Sequence, residues 1–230
     1  MLKAVLFDFN GVIINDESIH QDLINELLLG ENLRPDVSEY QELCLGRSDR
    51  ACLKDILSRR GRVVSDEYLD QLIETKTKYY RQEIDNLRSL PIYPELNDFL
   101  ILIKQRNLKI GLVTGSLVSE VEFILNKAEL ISYFDVIVGG DEITSSKPEP
   151  DGYLLAVDRL NQIDHTLQLK PENCLVIEDT PIGITAAKKA GMQVVGIANT
   201  YPYHFMQRIS DWAIDYFSDL ELERVEKVLA

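Results

Sequence analysis

Apolar residues in this chain fall into short unbroken runs, separated by longer stretches with helical spacing. Lys3–Phe7, Lys109–Thr114 (KIGLVT), Phe134–Val138 (FDVIV), Cys174–Ile177 (CLVI) and Val194–Ala198 (VVGIA) are rich in β-branched residues and do not alternate with polar ones. Such runs predict strands buried on both faces, as in a parallel sheet. Between them, Leu117–Ala128, Asp151–Asn161 and Ile182–Ala190 repeat apolar residues at helical spacing, the last stopped by Gly191. Strands alternating with helices predict an α/β architecture with a parallel sheet.

One segment breaks the alternation. From about Asp16 to Ser89 the helical patterns SIHQDLINELLLG, SEYQELCLG, RACLKDILSRRG and SDEYLDQLIETKTKYYRQEI follow one another with no strand between them. Pro91 and Pro94 mark the return to the α/β pattern. The expected organisation is a parallel-sheet core over 1–15 and 90–230, with an all-helical domain inserted at 16–89. Leu23, Leu27, Leu53, Ile56, Leu57, Leu69 and Leu72 would give the insert its own small core, with hinges near Asn15–Glu17 and Ser89–Pro94. The run ETKTKYYRQE reads as a solvated helix face with buried tyrosines.

Ligands of open parallel sheets sit beyond the carboxyl ends of the strands. The residues that follow the strands here are Asp8-Phe9-Asn10, Thr114-Gly115-Ser116, Gly139-Gly140-Asp141 and Glu178-Asp179, with Lys147 supplied by SSKPEPDGY. Three acids converging on one rim need a cation, and an oxygen-rich site prefers Mg²⁺. Thr114 and nearby helix N–H groups could hold phosphate oxygens. Lys147 could neutralise charge on a transferring group, and Asp8 could attack as a carboxylate nucleophile.

Charge sharpens this picture. Net charge is −14, which argues against nucleic acid, whose phosphates are bound by clustered Lys and Arg. An anionic small substrate would need a metal or local cations. No apolar run approaches a membrane span, and Asp8 comes too soon for a secretory leader. Cys44, Cys52 and Cys174 share no metal-ligand spacing, and read as reduced packing residues of a cytoplasmic protein. Oligomeric state is not encoded legibly; a monomer is compatible with everything above.

The four rim segments resemble the signatures of the haloacid dehalogenase superfamily. DFNGV (Asp8–Val12), LVTGS (Leu112–Ser116), SKPEPDGY (Ser146–Tyr153) and VIEDTPIGITAAKKAGM (Val176–Met192) occur in the superfamily's order. The helical insert resembles its cap, and the nearest branch looks like the β-phosphoglucomutase-like phosphatases and phosphomutases. The resemblance implies a Rossmann-like core and a small phosphorylated metabolite as substrate. It implies Asp8 as nucleophile and Mg²⁺ ligand, the Asn10 carbonyl and Asp179 as further ligands, and Glu178 as direct or water-mediated support. It implies phosphate held by Thr114, Gly115 and Ser116, and charge stabilised by Lys147. It points to His20 and to the GRSD loop at Gly46–Asp49, with Arg47 and Arg50, as substrate contacts.

Asn10 departs from the pattern. The superfamily's phosphatases usually carry a second aspartate there, which protonates the leaving alcohol and then activates water. An amide does neither, so the expectation is a slow phosphatase. A cap residue such as His20, Asp16 or Glu17 could supply the missing acid instead. Two alternatives remain open: a phosphohexomutase, and an impaired protein that binds a phosphorylated ligand without turning it over. The branch's mutases tend to place an arginine where Asp49 stands, which weakens the mutase reading.

Overall fold

The computed structural model describes residues 1–229. In chain order the elements are β1 (Ala4–Phe7), α1 (Glu17–Gly30), α2 (Val37–Leu43), α3 (Asp49–Arg59), α4 (Asp66–Asn86), α5 (Leu96–Gln105), β2 (Lys109–Val113) and α6 (Val118–Lys127). There follow β3 (Val136–Val138), α7 (Asp151–Ile163), β4 (Cys174–Glu178), α8 (Pro181–Lys189), β5 (Gln193–Ile197), α9 (Tyr203–Ile209), β6 (Trp212–Ile214) and α10 (Leu222–Val228).

All strand pairs are parallel, in the order β3-β2-β1-β4-β5-β6. The five expected strands are present. The sixth, β6, is a correction: three residues, WAI, carry too little pattern to stand out in sequence, and pairing with β5 makes them a strand. Alternation along each strand sends side chains to two apolar layers. Val5, Phe7, Ile110, Leu112 and Ile177 face α5 and α6, whose Leu96, Phe99, Leu100, Val121, Ile124 and Leu125 cover them. Leu6, Val113, Val176 and Val194 face Tyr153, Ala156, Leu160, Ile184 and Ala187 of α7 and α8. Burial on both faces explains why the runs do not alternate in sequence. β1 lies centrally between β2 and β4, so Asp8 leaves the middle of the rim, where the connections diverge to either side.

Helices α1–α4 lie between β1 and α5. Their separate starts are set by N-caps: Asp36 accepts from the Ser38 amide, Ser48 from that of Ala51 and Ser65 from that of Tyr68. Ile24, Leu28, Tyr40, Leu53, Ile56, Leu57, Leu69 and Leu72 share a cluster of their own. Leu23 instead joins the main core, with Tyr80 and Ile84, because that end of α1 and α4 rests on the sheet's roof.

Two further expectations fail here. Cys44 and Cys52 form a disulfide, with Cα atoms 4.5 Å apart, leaving only Cys174 free and buried. The turn between α2 and α3 folds the two ends together, which a spacing of eight residues does not reveal. The cysteines therefore lend no support to a reducing compartment. And α4 does not present ETKTKYYRQE wholly to solvent: Lys76 is 1% exposed, on the same stripe as Leu69, Leu72, Ile73, Tyr80 and Ile84. No described helix is long and apolar enough to cross a membrane.

Candidate active site

Beyond β1 the Asp8 amide still bonds to the Ile177 carbonyl (3.0 Å), so sheet pairing positions the residue rigidly. Its buried carboxylate meets Lys147 Nζ at 2.8 Å, and Lys147 also donates to Glu178 Oε1 at 2.6 Å. Glu178 is fully engaged. Tyr153 Oη donates to Oε1 (3.0 Å), while the amides of Asp179 and Thr180 and the Thr180 hydroxyl donate to Oε2 (3.0–3.2 Å). Asp179 accepts from the Thr200 hydroxyl through Oδ2, whereas its buried Oδ1 has no partner.

Asp8, Glu178 and Asp179 each bring an oxygen to within 4.8 Å of the others. One lysine cannot balance three carboxylates. Burial, and Glu178 beside it, push the Asp8 carboxyl up to about 7 against the pull of Lys147. Asp179 is raised well above its ordinary value by burial, Glu178 and Asp8. An orphaned buried oxygen amid raised carboxyls is what a hard divalent cation would relieve, and an all-oxygen donor set fits Mg²⁺. With both Glu178 oxygens occupied, Asp8 and Asp179 are the better placed as direct ligands. The chain is cleared for them at Gly11: its φ of +79° suits glycine, and a Cβ there would lie 1.9 Å from Asp179 Oδ2.

Asn10 sits in a network that specifies an amide. Ser116 Oγ and Thr114 Oγ1 donate to its Oδ1 (2.8 and 3.4 Å). Its Nδ2 donates to Asp16 Oδ1 (3.0 Å) and faces His20 Nε2 (3.1 Å). Asp16 is completely buried, 3.3 Å from His20 Nε2, and accepts from Tyr80 Oη at 2.5 Å. Burial alone would raise the Asp16 carboxyl, but His20 and these hydrogen bonds hold it below its ordinary value. Burial and Lys76 pull His20 down; Asp16 outweighs them and raises it.

Residues 2–191 match the family model of the haloacid dehalogenase-like hydrolases. The chain belongs to this family. Within it the fold is that of the β-phosphoglucomutase-like branch of phosphatases and phosphomutases. A β-phosphoglucomutase of Bacillus subtilis is 29% identical over 225 residues, covering 96% of this chain and 93% of that one. A phosphorylated carbohydrates phosphatase of Thermotoga maritima is 26% identical over 200 residues, covering 86% and 87%. The crystal structure of a β-phosphoglucomutase from Clostridium difficile superposes with a TM-score of 0.85 at 27% identity, covering 100% of this chain and 97% of that one.

The hydrolase holds its helical insert against the rim. Ser48 N donates to Ser146 Oγ (2.8 Å), and Thr77 Oγ1 to Glu120 Oε1 (2.7 Å). A Cβ on Gly115 would lie 2.5 Å from the Arg47 carbonyl oxygen, so glycine permits this close approach. A narrow pocket results, with Asp8, Asn10, Thr114, Gly115, Ser116 and Asp179 on the sheet side and His20, Arg47 and Asp49 opposite. Arg50 lies outside it, paired with Asp66 (3.5 Å) and Asp70. Arg47 turns its terminal nitrogens to the Leu43 carbonyl (2.9 Å) and Asp55 (2.7 Å). Sequence reasoning missed Lys76, whose Nζ is 2.6 Å from Asp49 and 3.9 Å from Glu120. Its place on the apolar stripe of α4 was the available signal. It also missed Tyr40, which donates to Glu17 at 2.6 Å.

Proposed function

We propose that this hydrolase is a Mg²⁺-dependent phosphatase of a small phosphorylated metabolite, working through an aspartyl-phosphate on Asp8 and slowed by Asn10. The observation that carries this reading is the Lys147 bridge between Asp8, which lines the pocket, and the buried Glu178 behind it. It holds a carboxylate at the site of attack and a fixed cation where phosphoryl charge develops. The Thr114 hydroxyl and the Gly115 and Ser116 backbone would orient the phosphate. Asp8 attacks phosphorus, and the ester oxygen leaves with its electron pair and needs a proton. Water then attacks the acyl phosphate, releasing phosphate and restoring Asp8. Mg²⁺, held by Asp8, Asp179 and the Asn10 carbonyl with Glu178 supporting, would neutralise the phosphate and the acids together. The insert at 16–89 would open to admit substrate and close to exclude water.

A direct test offers the protein acetyl phosphate and an aryl phosphate with Mg²⁺. The expected result is metal-dependent aryl phosphate turnover and one phosphoryl group on Asp8 by mass spectrometry. No turnover, together with no adduct, would refute the reading.

Metal binding should be tied to pH. Asp8 moves from 3.8 to about 7 without metal, so between these values the folded state keeps a proton that the unfolded chain has released. Metal-free stability therefore falls as pH rises through that window. Mg²⁺ favours the ionised carboxylate, so its stabilisation should be larger at about pH 8 than at about pH 5, and absent in Asp179→Ala. Thermal melts check this; equal Mg²⁺ shifts at both pH values, or an undiminished shift in Asp179→Ala, would misplace the site.

A further inference from the structure

A disulfide forms part of the pocket wall. Cys44 caps the end of α2 and Cys52 lies in the first turn of α3, and both line the cavity that also holds Asp8, Thr114 and Asp179. The bond staples the base of the loop 45–51, and that loop is where the helical insert meets the rim. At Gly46 an added Cβ would lie 2.8 Å from Thr180 Oγ1. The Arg47 carbonyl presses on Gly115, and the Ser48 amide donates to Ser146 Oγ (2.8 Å). The Ser48 side chain comes so close to Gly140 that a Cβ there would stand 3.0 Å from its own Cβ. One short loop therefore touches the segments that follow β2, β3 and β4, which carry Thr114, Lys147 and Asp179. Fit at several backbone positions at once needs a loop of fixed shape. A crosslink at its base removes alternative shapes before any ligand arrives. None of the chemistry proposed above uses these sulfurs. Cys44 and Cys52 are 6% and 2% exposed, and the pocket is the cavity that reaches them.

We propose that Cys44 and Cys52 are a redox-sensitive modification site that tunes this pocket. Oxidised, the pair holds the loop 45–51 in the shape that receives phosphate; reduced, it lets the loop relax and weakens binding. This rests on the phosphatase reading and adds regulation to it. The reductant is a small dithiol. Its thiolate attacks the sulfur of Cys44, the more exposed of the two residues. The S–S bond breaks, and its electron pair passes to Cys52 Sγ, which takes up a proton. The dithiol's second sulfur then attacks the mixed disulfide, releases Cys44 as a thiol and closes the reductant's own disulfide. Two electrons and two protons have passed to the protein. A small disulfide such as oxidised glutathione reverses the exchange. With the insert closed on the rim the narrow pocket leaves little room for a thiol, so a ligand that keeps it closed shields the bond.

The test uses the native protein, either oxidised with oxidised glutathione or reduced with dithiothreitol, then freed of reagent. It is run at a temperature where circular dichroism shows both forms folded, so that unfolding cannot imitate the result. Affinity for inorganic phosphate with Mg²⁺ is measured by calorimetry, and kcat/KM with an aryl phosphate. Reduction should weaken both by about tenfold, and reoxidation should restore them. The double variant Cys44→Ser, Cys52→Ser should bind phosphate like the reduced protein and ignore dithiothreitol. Saturating phosphate and Mg²⁺ should slow reduction of the native disulfide several-fold, followed by alkylating the freed thiols and mass spectrometry. Phosphate affinity that is the same in both forms, including no binding by either, overturns the proposal. So does a double variant that binds like the oxidised protein, or a reduction rate indifferent to phosphate. The phosphatase reading fails separately. No aryl phosphate turnover in either form, with phosphate still held more tightly by the oxidised one, sinks that reading and supports the redox site. Equal turnover and equal affinity in both forms do the reverse.

Discussion

Asn10→Asp should raise turnover of alkyl phosphates by about 10²-fold or more, the range a positioned acid/base contributes. The surroundings of Asn10 strengthen the expectation beyond the residue type. A carboxyl placed there would set an oxygen where Nδ2 now lies, 3.0 Å from Asp16 Oδ1 and 3.1 Å from His20 Nε2. Two carboxylates so close repel when both are ionised, which favours a proton held within the group of Asp16, His20 and the new carboxyl. On the proposed mechanism, that proton is what a departing alkoxide would otherwise lack. Aryl phosphates should gain less in the first step, because their leaving groups depart unaided. They gain in the second if hydrolysis of the aspartyl-phosphate limits the rate. Steady-state rates on paired alkyl and aryl substrates check this. No gain on either, with Mg²⁺ and phosphate still bound, would mean a binding protein. Fast native turnover lost in His20→Ala and indifferent to Asn10→Asp would place the acid in the helical insert.

Lys147→Met should cost both activity and stability. The lysine is buried between Asp8 and Glu178. Removing it deletes the cation facing the developing phosphoryl charge, worth about 10²–10³ in kcat by analogy with single preorganised donors. It also leaves buried carboxylates uncompensated, and breaking such a pair typically costs about 3–5 kcal/mol. Asp8→Asn separates the two effects. It too abolishes turnover, but it relieves crowding among the acids and leaves Lys147 on Glu178, so stability should hold or rise. Denaturant unfolding beside turnover gives the comparison. A Lys147→Met protein as stable as native and within tenfold of its rate would remove Lys147 from the centre.

The strands β1 to β5 were legible because burial on both faces writes continuous apolar runs into the sequence, and the rim residues were legible because they directly follow those runs. Asp8, Thr114, Lys147, Glu178 and Asp179 converge as their positions in the pattern implied. The inserted helices were legible from their spacing. What stayed hidden depends on contacts between distant segments. β6 is too short to carry a period and exists through its pairing with β5. Cys44 and Cys52 are brought together only by the turn that follows α2. Lys76 lies on an apolar stripe, yet its burial depends on Asp49 and Glu120, from two other helices, arriving to balance its charge. Which carboxylates Arg47 and Arg50 meet is a matter of geometry: Arg47 pairs with Asp55 and still lines the pocket, whereas Arg50 pairs with Asp66 and Asp70 outside it. Sequence thus determined the fold class and which side chains meet at the rim, which local pattern encodes. The pairing of charges above the rim was decided by tertiary packing, because which partner a charge meets depends on segments far apart in sequence arriving together.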